Sequence, residues 1–334
     1  MLKLSKDNST VIKGIVITMM VFYHLFNGKH MFMYAGLVHI GKVPLATWLA
    51  AACWPVSLFL ILSGYGLAYK FENGGIEPRY QLRRISRLYI HYWVVLAIFV
   101  TCGHFMSPAD YPGSPGRLIG NMLGWNVNYS GEMWFLLPYC VISLLSLYII
   151  RIISRLGNLV SVIITTAIFL CTSFAISRYA KFLYGNMIVY QPLLCFHLLQ
   201  AFTMGVVLRR TSQRLNFQVP QWIILAATGA LVLATCLIPN SLTYLVYCPL
   251  LIILLGNVRW SGWVKAVLSE LGKKSMTIWM IHTWLAYYLF HDQFYSLKYA
   301  PLIFIAVLGA SYLISIPVMW LASRIHRLIP FNSK

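Results

Sequence analysis

The sequence predicts an all-α polytopic membrane protein, a bundle of about ten transmembrane helices with both termini in the cytoplasm. Composition is the first reason, because 60% of the 334 residues are hydrophobic and only 10% are charged. Apolar runs of about 17–25 residues, each long enough to cross a bilayer as a helix, recur along the whole chain. The basic residues between these runs are unevenly distributed, which gives the orientation.

The apolar runs follow one another with short polar connections. The longest polar intervals, near 70–87 and 104–131, are too short for an independent soluble domain. We therefore expect a single integral-membrane domain over residues 1–334. The predicted spans lie near 11–28, 45–69, 86–106, 132–150, 158–176, 188–208, 220–238, 242–257, 275–290 and 300–323.

The formal charge of +19 is explained by this topology. Cytoplasmic loops of membrane proteins are enriched in lysine and arginine. With the amino terminus inside, all but six of the 26 basic residues fall on the cytoplasmic side, so we expect no nucleic-acid partner. The six outer residues are Lys29, Lys42, Arg117, Arg178, Lys181 and Lys298.

The cysteines and histidines show no pattern of a metal site. The seven cysteines lie mostly within predicted spans and form no CxxC pair, which is typical of small apolar packing residues. The nine histidines form no HExxH or similar ligand spacing. We predict no bound metal.

A histidine inside the first predicted span is the strongest candidate for chemistry. His24 lies in the apolar stretch from Gly14 to Phe26, and Lys13 precedes that stretch. An ionisable side chain in hydrocarbon is costly, so it indicates a functional role or a buried polar partner. The 11 residues from Lys13 to His24 correspond to about 16 Å of helix, which places the imidazole near the middle of the bilayer.

The second span contains a hydroxyl and two glycines, Ser63, Gly64 and Gly66, among apolar residues. Small residues allow helices to approach closely, and they also allow backbone groups to open toward a cavity. The residues alone favour packing.

Three arginines, Arg83, Arg84 and Arg87, stand at the predicted cytoplasmic entrance of the third span. At this spacing Arg87 shares a helix face with its neighbours. Cations near a helix amino terminus are unfavourably placed against the macrodipole, and a bound phosphate would neutralise them. A topology anchor at lipid headgroups is an equally good interpretation.

Three further polar or aromatic residues lie at or inside later spans. Glu132 is one of only seven acidic residues, but a carboxylate in a first helical turn after a Ser130 cap is ordinary helix chemistry. Trp134 matches an interfacial aromatic residue. His282 lies within the ninth span, where a hydrogen bond to another helix is the default expectation.

Together these segments resemble a large bacterial family of integral-membrane acyltransferases, acyltransferase family 3, whose members acylate sugars and lipids. Each match alone is weak, but the matches occur in the family's order along most of the chain. They run from Lys13 to His24, from Phe59 to Tyr65, from Arg83 to Leu88, from Trp134 to Leu136 and from Ser275 to His282.

The chain also departs from the family pattern. Lys13 stands where members usually have arginine, and a lysine offers a point charge without the bidentate fork. Pro138 and Tyr139 occupy the neighbourhood of a glutamate that many members carry. Glu132 is at best a displaced substitute for it. We expect none of the extracytoplasmic hydrolase-like domain found on some longer members.

The resemblance implies an acyltransferase of the bacterial plasma membrane. The co-substrate would be acyl-CoA, most simply acetyl-CoA, with no bound cofactor, and the acceptor a hydroxyl of a surface polysaccharide, its lipid-linked precursor or a glycolipid. His24 would be the catalytic general base or a transient acyl carrier. Lys13, Arg83, Arg84 and Arg87 would bind CoA, and Ser63, Glu132, Trp134 and His282 would contact substrate.

Proteins of other classes share some of these features. A transporter or flippase of lipid-linked sugars also has many spans and a few intramembrane polar residues, but it needs no basic clamp for CoA. A structural subunit of an envelope complex needs none of the polar residues. The other common type of membrane O-acyltransferase also uses an intramembrane histidine, but we see no matching asparagine–histidine pattern here.

The predicted topology is testable with a reporter fused after Pro112. This position lies in the polar interval after the third predicted span, so we expect the reporter to be active only on the outer side. A cytoplasmic signal would contradict the assignment of spans.

Overall fold

The computed structural model describes residues 4–212 and 219–328, and within these residues the chain is almost entirely helical. Among these described residues, seven helical segments are long and apolar enough to cross a membrane. The helices are α1 Lys6–Phe26, α2 Leu45–Ala50, α3 Pro55–Glu72, α4 Pro78–Met106, α5 Pro115–Leu123, α6 Leu136–Leu156, α7 Asn158–Arg178, α8 Ala180–Gly185, α9 Met187–Thr211, α10 Gln221–Leu237, α11 Ser241–Asn257, α12 Gly262–Thr283, α13 His291–Tyr295 and α14 Ala300–Arg327.

The prediction of an all-α polytopic membrane protein is confirmed. Every predicted span corresponds to a helix in the described chain, but α10 and α11 have only 17 residues each. The first half of α12 is polar, with charged residues such as Lys265 and Glu270. The number of ten spans therefore stays a prediction, as does the orientation of the termini.

Prolines determine where several helices begin. Pro55, Pro78 and Pro115 are the first residues of α3, α4 and α5, a position where the missing N–H is not needed. Pro55 therefore divides the predicted second span into the short α2 and the longer α3. The only strands among the described residues form a small antiparallel hairpin, β1 His39–Ile40 with β2 Val43–Pro44.

Contacts divide the chain into two compact units. The first takes its residues from Met1–Phe59 and Ser212–Leu321, and the second from Leu60–Thr211 and Ala322–Lys334. The first unit therefore contains α1 and α12, and the second contains α4, α6, α9 and the part of α3 from Leu60 onward.

In the first unit, α1 and α12 pack closely because two glycines face each other. A Cβ atom on Gly14 would overlap the carbonyl oxygen of Leu268, and one on Gly272 would overlap that of Thr10. Both positions therefore exclude any larger residue unless the helices separate. The two helices run in the same direction, as the predicted topology requires of its first and ninth spans.

In the second unit, α3 and α9 cross in a similar way. A Cβ atom on Gly64 would overlap the carbonyl oxygen of Phe202, and one on Gly205 would overlap that of Ile61. Gly64 is therefore a packing residue, as its sequence context favours.

The polar segment after α4 returns along that helix. Tyr111 packs against Gly103 near the end of α4, whereas the hydroxyl of Tyr92 donates to the carbonyl of Asn121 at 2.9 Å. The 11 residues of helix from Tyr92 to Gly103 correspond to about 17 Å. The interval predicted as a plain connection therefore runs alongside the spanning helix, and α6 begins close to the first half of α4.

The glycine crossing predicts a stability effect for Gly272→Ala. The added methyl group must push α1 and α12 apart, and overpacking of this kind costs about 1–3 kcal/mol. We expect a lower melting temperature of the detergent-solubilised protein. The matched control is Gly229→Ala in α10, where nothing lies within 4 Å of the new Cβ atom. Equal melting temperatures for the two variants would contradict the proposed role of the crossing.

Candidate active site

The structure pairs the histidine of the first span with the histidine of the ninth. Nδ1 of His24 lies 2.7 Å from Nε2 of His282, and the two rings meet edge to edge, with centroids 4.9 Å apart and an angle of 24° between their planes. His24 stands ten residues after Gly14, and His282 stands ten residues after Gly272. The glycine crossing and the imidazole pair therefore share one helix register.

The two imidazoles differ in accessibility. His282 is completely buried, and its Nδ1 lies 2.9 Å from the carbonyl oxygen of Trp279 and 3.1 Å from that of Ile278. His24 is only partly buried. Part of His24 therefore remains exposed, whereas His282 contacts protein on all sides.

The chain after His282 also holds His24. It forms a turn of π-helix over Trp284–Tyr288. This geometry is rare in proteins, and where it occurs it is often at a functional site. This turn presents the hydroxyl of Tyr287, which donates a hydrogen bond to the carbonyl of His24. The side-chain amide of Asn27 donates to the same carbonyl at 3.4 Å. The last turn of α1 is thus fixed from two sides.

A third imidazole lies next to this turn, just beyond α1. His30 stacks on the ring of Tyr287 with centroids 4.7 Å apart. Burial, together with His291 and Lys29, lowers the pKa of His30 below its ordinary value. His30 is therefore neutral at pH 7 and adds no positive charge beside Tyr287.

The second unit contains a separate cluster of hydrogen-bond donors around Arg84. Its Nη2 lies 2.6 Å from the hydroxyl oxygen of Tyr139 and 3.4 Å from that of Ser63. The hydroxyl of Ser63 also lies 3.5 Å from that of Tyr139. Nη1 of Arg84 is buried and has no hydrogen-bond partner in the described chain.

This donor cluster suits an anionic ligand. Within the described residues, the contacts of Arg84 include no carboxylate. A buried guanidinium nitrogen without a hydrogen-bond partner is costly, and the planar fork of arginine matches phosphate or carboxylate oxygens. Arg84 therefore has binding capacity that the protein itself leaves unused.

The other predicted phosphate ligands differ in their burial and in their position along the helices. Helix α4 begins at Pro78, before the predicted third span, so the three arginines do not stand in its first turn. They lie in its second and third turns, where the backbone N–H groups already bond within the helix. Arg83 is half-buried and Arg87 is exposed. In the first unit, Lys13 is half-buried and immediately precedes Gly14 in α1.

Glu132 and Trp134 lie together in a short turn of 3₁₀-helix over Gly131–Phe135, and both are half-buried. Ser130 precedes this turn but makes no side-chain capping bond, so the expectation of a Ser130 cap is wrong. The hydrogen bonds of Arg84 in the second unit go to Ser63 and Tyr139 and to neither Glu132 nor Trp134.

Sequence reasoning missed two residues that the structure places in these clusters. Tyr139 bonds Arg84, although the only signal was its position near the family's usual glutamate. Tyr287 bonds His24, and nothing in the sequence distinguishes it from other aromatic residues of a membrane protein.

Comparison with known proteins agrees with this chemistry. A family model described as an acyltransferase domain matches residues 7–322, nearly the whole chain. No curated protein matches the chain. No solved structure matches it either. The breadth of the family match leads to one conclusion: the chain belongs to acyltransferase family 3 and is a membrane acyltransferase.

Proposed function

We propose that the protein transfers an acyl group, most simply acetyl, from cytoplasmic acyl-CoA to a hydroxyl group. The acceptor is a cell-surface polysaccharide, its lipid-linked precursor or a glycolipid, and the enzyme works in the bacterial plasma membrane. Family membership supports the acyl transfer. The observation that carries the mechanism is the contact between His24 and His282, which gives a partly exposed histidine a fully buried partner.

His24 has two possible roles in this reaction. As a general base, its bare ring nitrogen takes the proton of the acceptor hydroxyl while the oxygen attacks the thioester carbon. The C–S bond then breaks, and the proton passes from the imidazole to the CoA thiolate. As an acyl carrier, the same nitrogen attacks the thioester carbon, and CoA leaves as the thiolate. The acceptor oxygen then attacks the acyl carbon, the bond from that carbon to the imidazole nitrogen breaks, and the hydroxyl proton passes to the CoA thiolate. Both roles need one unprotonated ring nitrogen that faces the substrate.

The donor cluster around Arg84 supports the choice of acyl-CoA. CoA carries phosphates that need counter-charges, and the buried Nη1 of Arg84 lacks a partner among the described residues. We assign Arg84 to a CoA phosphate, with Ser63 and Tyr139 holding its guanidinium in place. Arg83, Arg87 and Lys13 remain proposed ligands of CoA.

Glu132 and Trp134 remain proposed contacts of the acceptor. Indole rings stack on the apolar faces of sugars, and a carboxylate accepts hydrogen bonds from sugar hydroxyls. Their half-buried positions in one 3₁₀ turn leave part of each side chain accessible. A saccharide acceptor is the class that suits this pair.

The first prediction is that His24→Ala abolishes most acyl transfer. General-base or covalent catalysis contributes roughly a factor of 10²–10⁴, so we expect the rate to fall by at least about 100-fold. The assay uses purified protein in nanodiscs, radiolabelled acetyl-CoA and candidate glycans.

The matched control for this assay is His197→Ala. His197 is another histidine of an apolar helix, and its Nδ1 lies 3.1 Å from the hydroxyl of Thr172. We expect its rate to stay near that of the wild type. Transfer by His24→Ala at the wild-type rate would contradict the mechanism. Failure of the wild-type protein to bind CoA would favour a transporter.

The second prediction concerns Arg84→Met. Loss of a charge-assisted hydrogen bond costs about 1.5–3 kcal/mol, so we expect the Kd for acetyl-CoA to rise about 10- to 100-fold. Acetyl-pantetheine has no phosphates, and its binding should not change. The control is the exposed Arg151→Met in α6. An equal loss for both ligands would place Arg84 away from the phosphates.

A further inference from the structure

We propose that His282 fixes the tautomer of His24, so that Nε2 of His24 is the reactive nitrogen. This makes His282 a positioning residue that acts through His24 and does not touch substrate. The inference rests on the proposed function, because it specifies which nitrogen performs the chemistry. It follows from the hydrogen-bond partners of the two rings.

The first step concerns Nδ1 of His282. This nitrogen faces two backbone carbonyl oxygens, those of Ile278 and Trp279, at 3.1 and 2.9 Å. Carbonyl oxygens only accept hydrogen bonds. The lone pair of an unprotonated Nδ1 would be repelled by the lone pairs of these two oxygens. Nδ1 of His282 therefore carries the proton.

The second step concerns the nitrogen on the other side of that ring. A neutral imidazole has one N–H group and one bare nitrogen, so Nε2 of neutral His282 is an acceptor. Its partner at 2.7 Å is Nδ1 of His24, which must therefore donate. His24 then carries its proton on Nδ1, and its Nε2 is bare.

The third step explains why His282 stays neutral. It is completely buried, and its contacts in the described chain are two carbonyls and one imidazole, with no carboxylate. A buried cation without an anionic partner is strongly disfavoured. If His282 were charged, its Nε2 would donate to His24 and force the proton of His24 onto the nitrogen that must react.

The same contact assists the reaction itself. When Nε2 of His24 takes up a proton or an acyl group, the ring becomes cationic. Its Nδ1–H group then donates more strongly to Nε2 of His282, because hydrogen bonds from charged donors are stronger. The glycine crossing at Gly14 and Gly272 keeps the two rings at this distance.

The test compares two substitutions of His282 that differ in one property. In His282→Gln, the side-chain amide keeps an oxygen that can accept from His24. In His282→Leu, the volume is filled without any acceptor. We expect His282→Leu to lower kcat about 100-fold with an unchanged KM for acetyl-CoA, and His282→Gln to recover most of the lost kcat.

Melting temperatures separate this role from packing. A leucine suits an apolar interior at least as well as a glutamine, so we expect His282→Leu to melt no lower than His282→Gln. A kcat of His282→Leu equal to that of the wild type would overturn the inference. So would a His282→Gln enzyme as slow as His282→Leu. An active His24→Ala enzyme would instead overturn the proposed function, so the two failures are distinguishable.

Discussion

The close approach of α1 and α12 is the constraint on which the candidate active site depends. Gly14 and Gly272 leave only backbone at the crossing, so the helices lie near enough for side chains further along to bond directly. Because both helices run the same way, His24 and His282 meet ten residues beyond the glycines. A hydrogen bond of 2.7 Å between imidazoles requires the register that this crossing imposes.

The polar side chains of the two units differ in how completely their hydrogen-bonding groups are paired. In the imidazole pair, every ring nitrogen except one has a hydrogen-bond partner within the described chain. The cluster around Arg84 is incomplete, because its donors outnumber its acceptors. A transferase needs both kinds of group: a reacting group with a fixed position and protonation state, and a binding group with donors available to a charged ligand.

The fold and part of the site could be predicted from the sequence. Hydrocarbon forces the backbone to bond within helices, so apolar runs predict spans, and the cost of a buried imidazole identifies His24. The sequence could not identify His282 as the partner of His24, because the two residues are 258 positions apart and their pairing depends on helix packing. Tyr139 was missed because its role depends on the return of the chain along α4, which a polar interval does not reveal.

The central claim is that His282 acts through His24, and a double-mutant cycle tests it most directly. The rates of acyl transfer would be compared for His24→Ala, His282→Leu and the double variant. Residues that act as a unit are strongly non-additive. We therefore predict that the double variant is no slower than His24→Ala alone. Losses that multiply, so that adding His282→Leu slows His24→Ala as much as it slows the wild type, would contradict the claim.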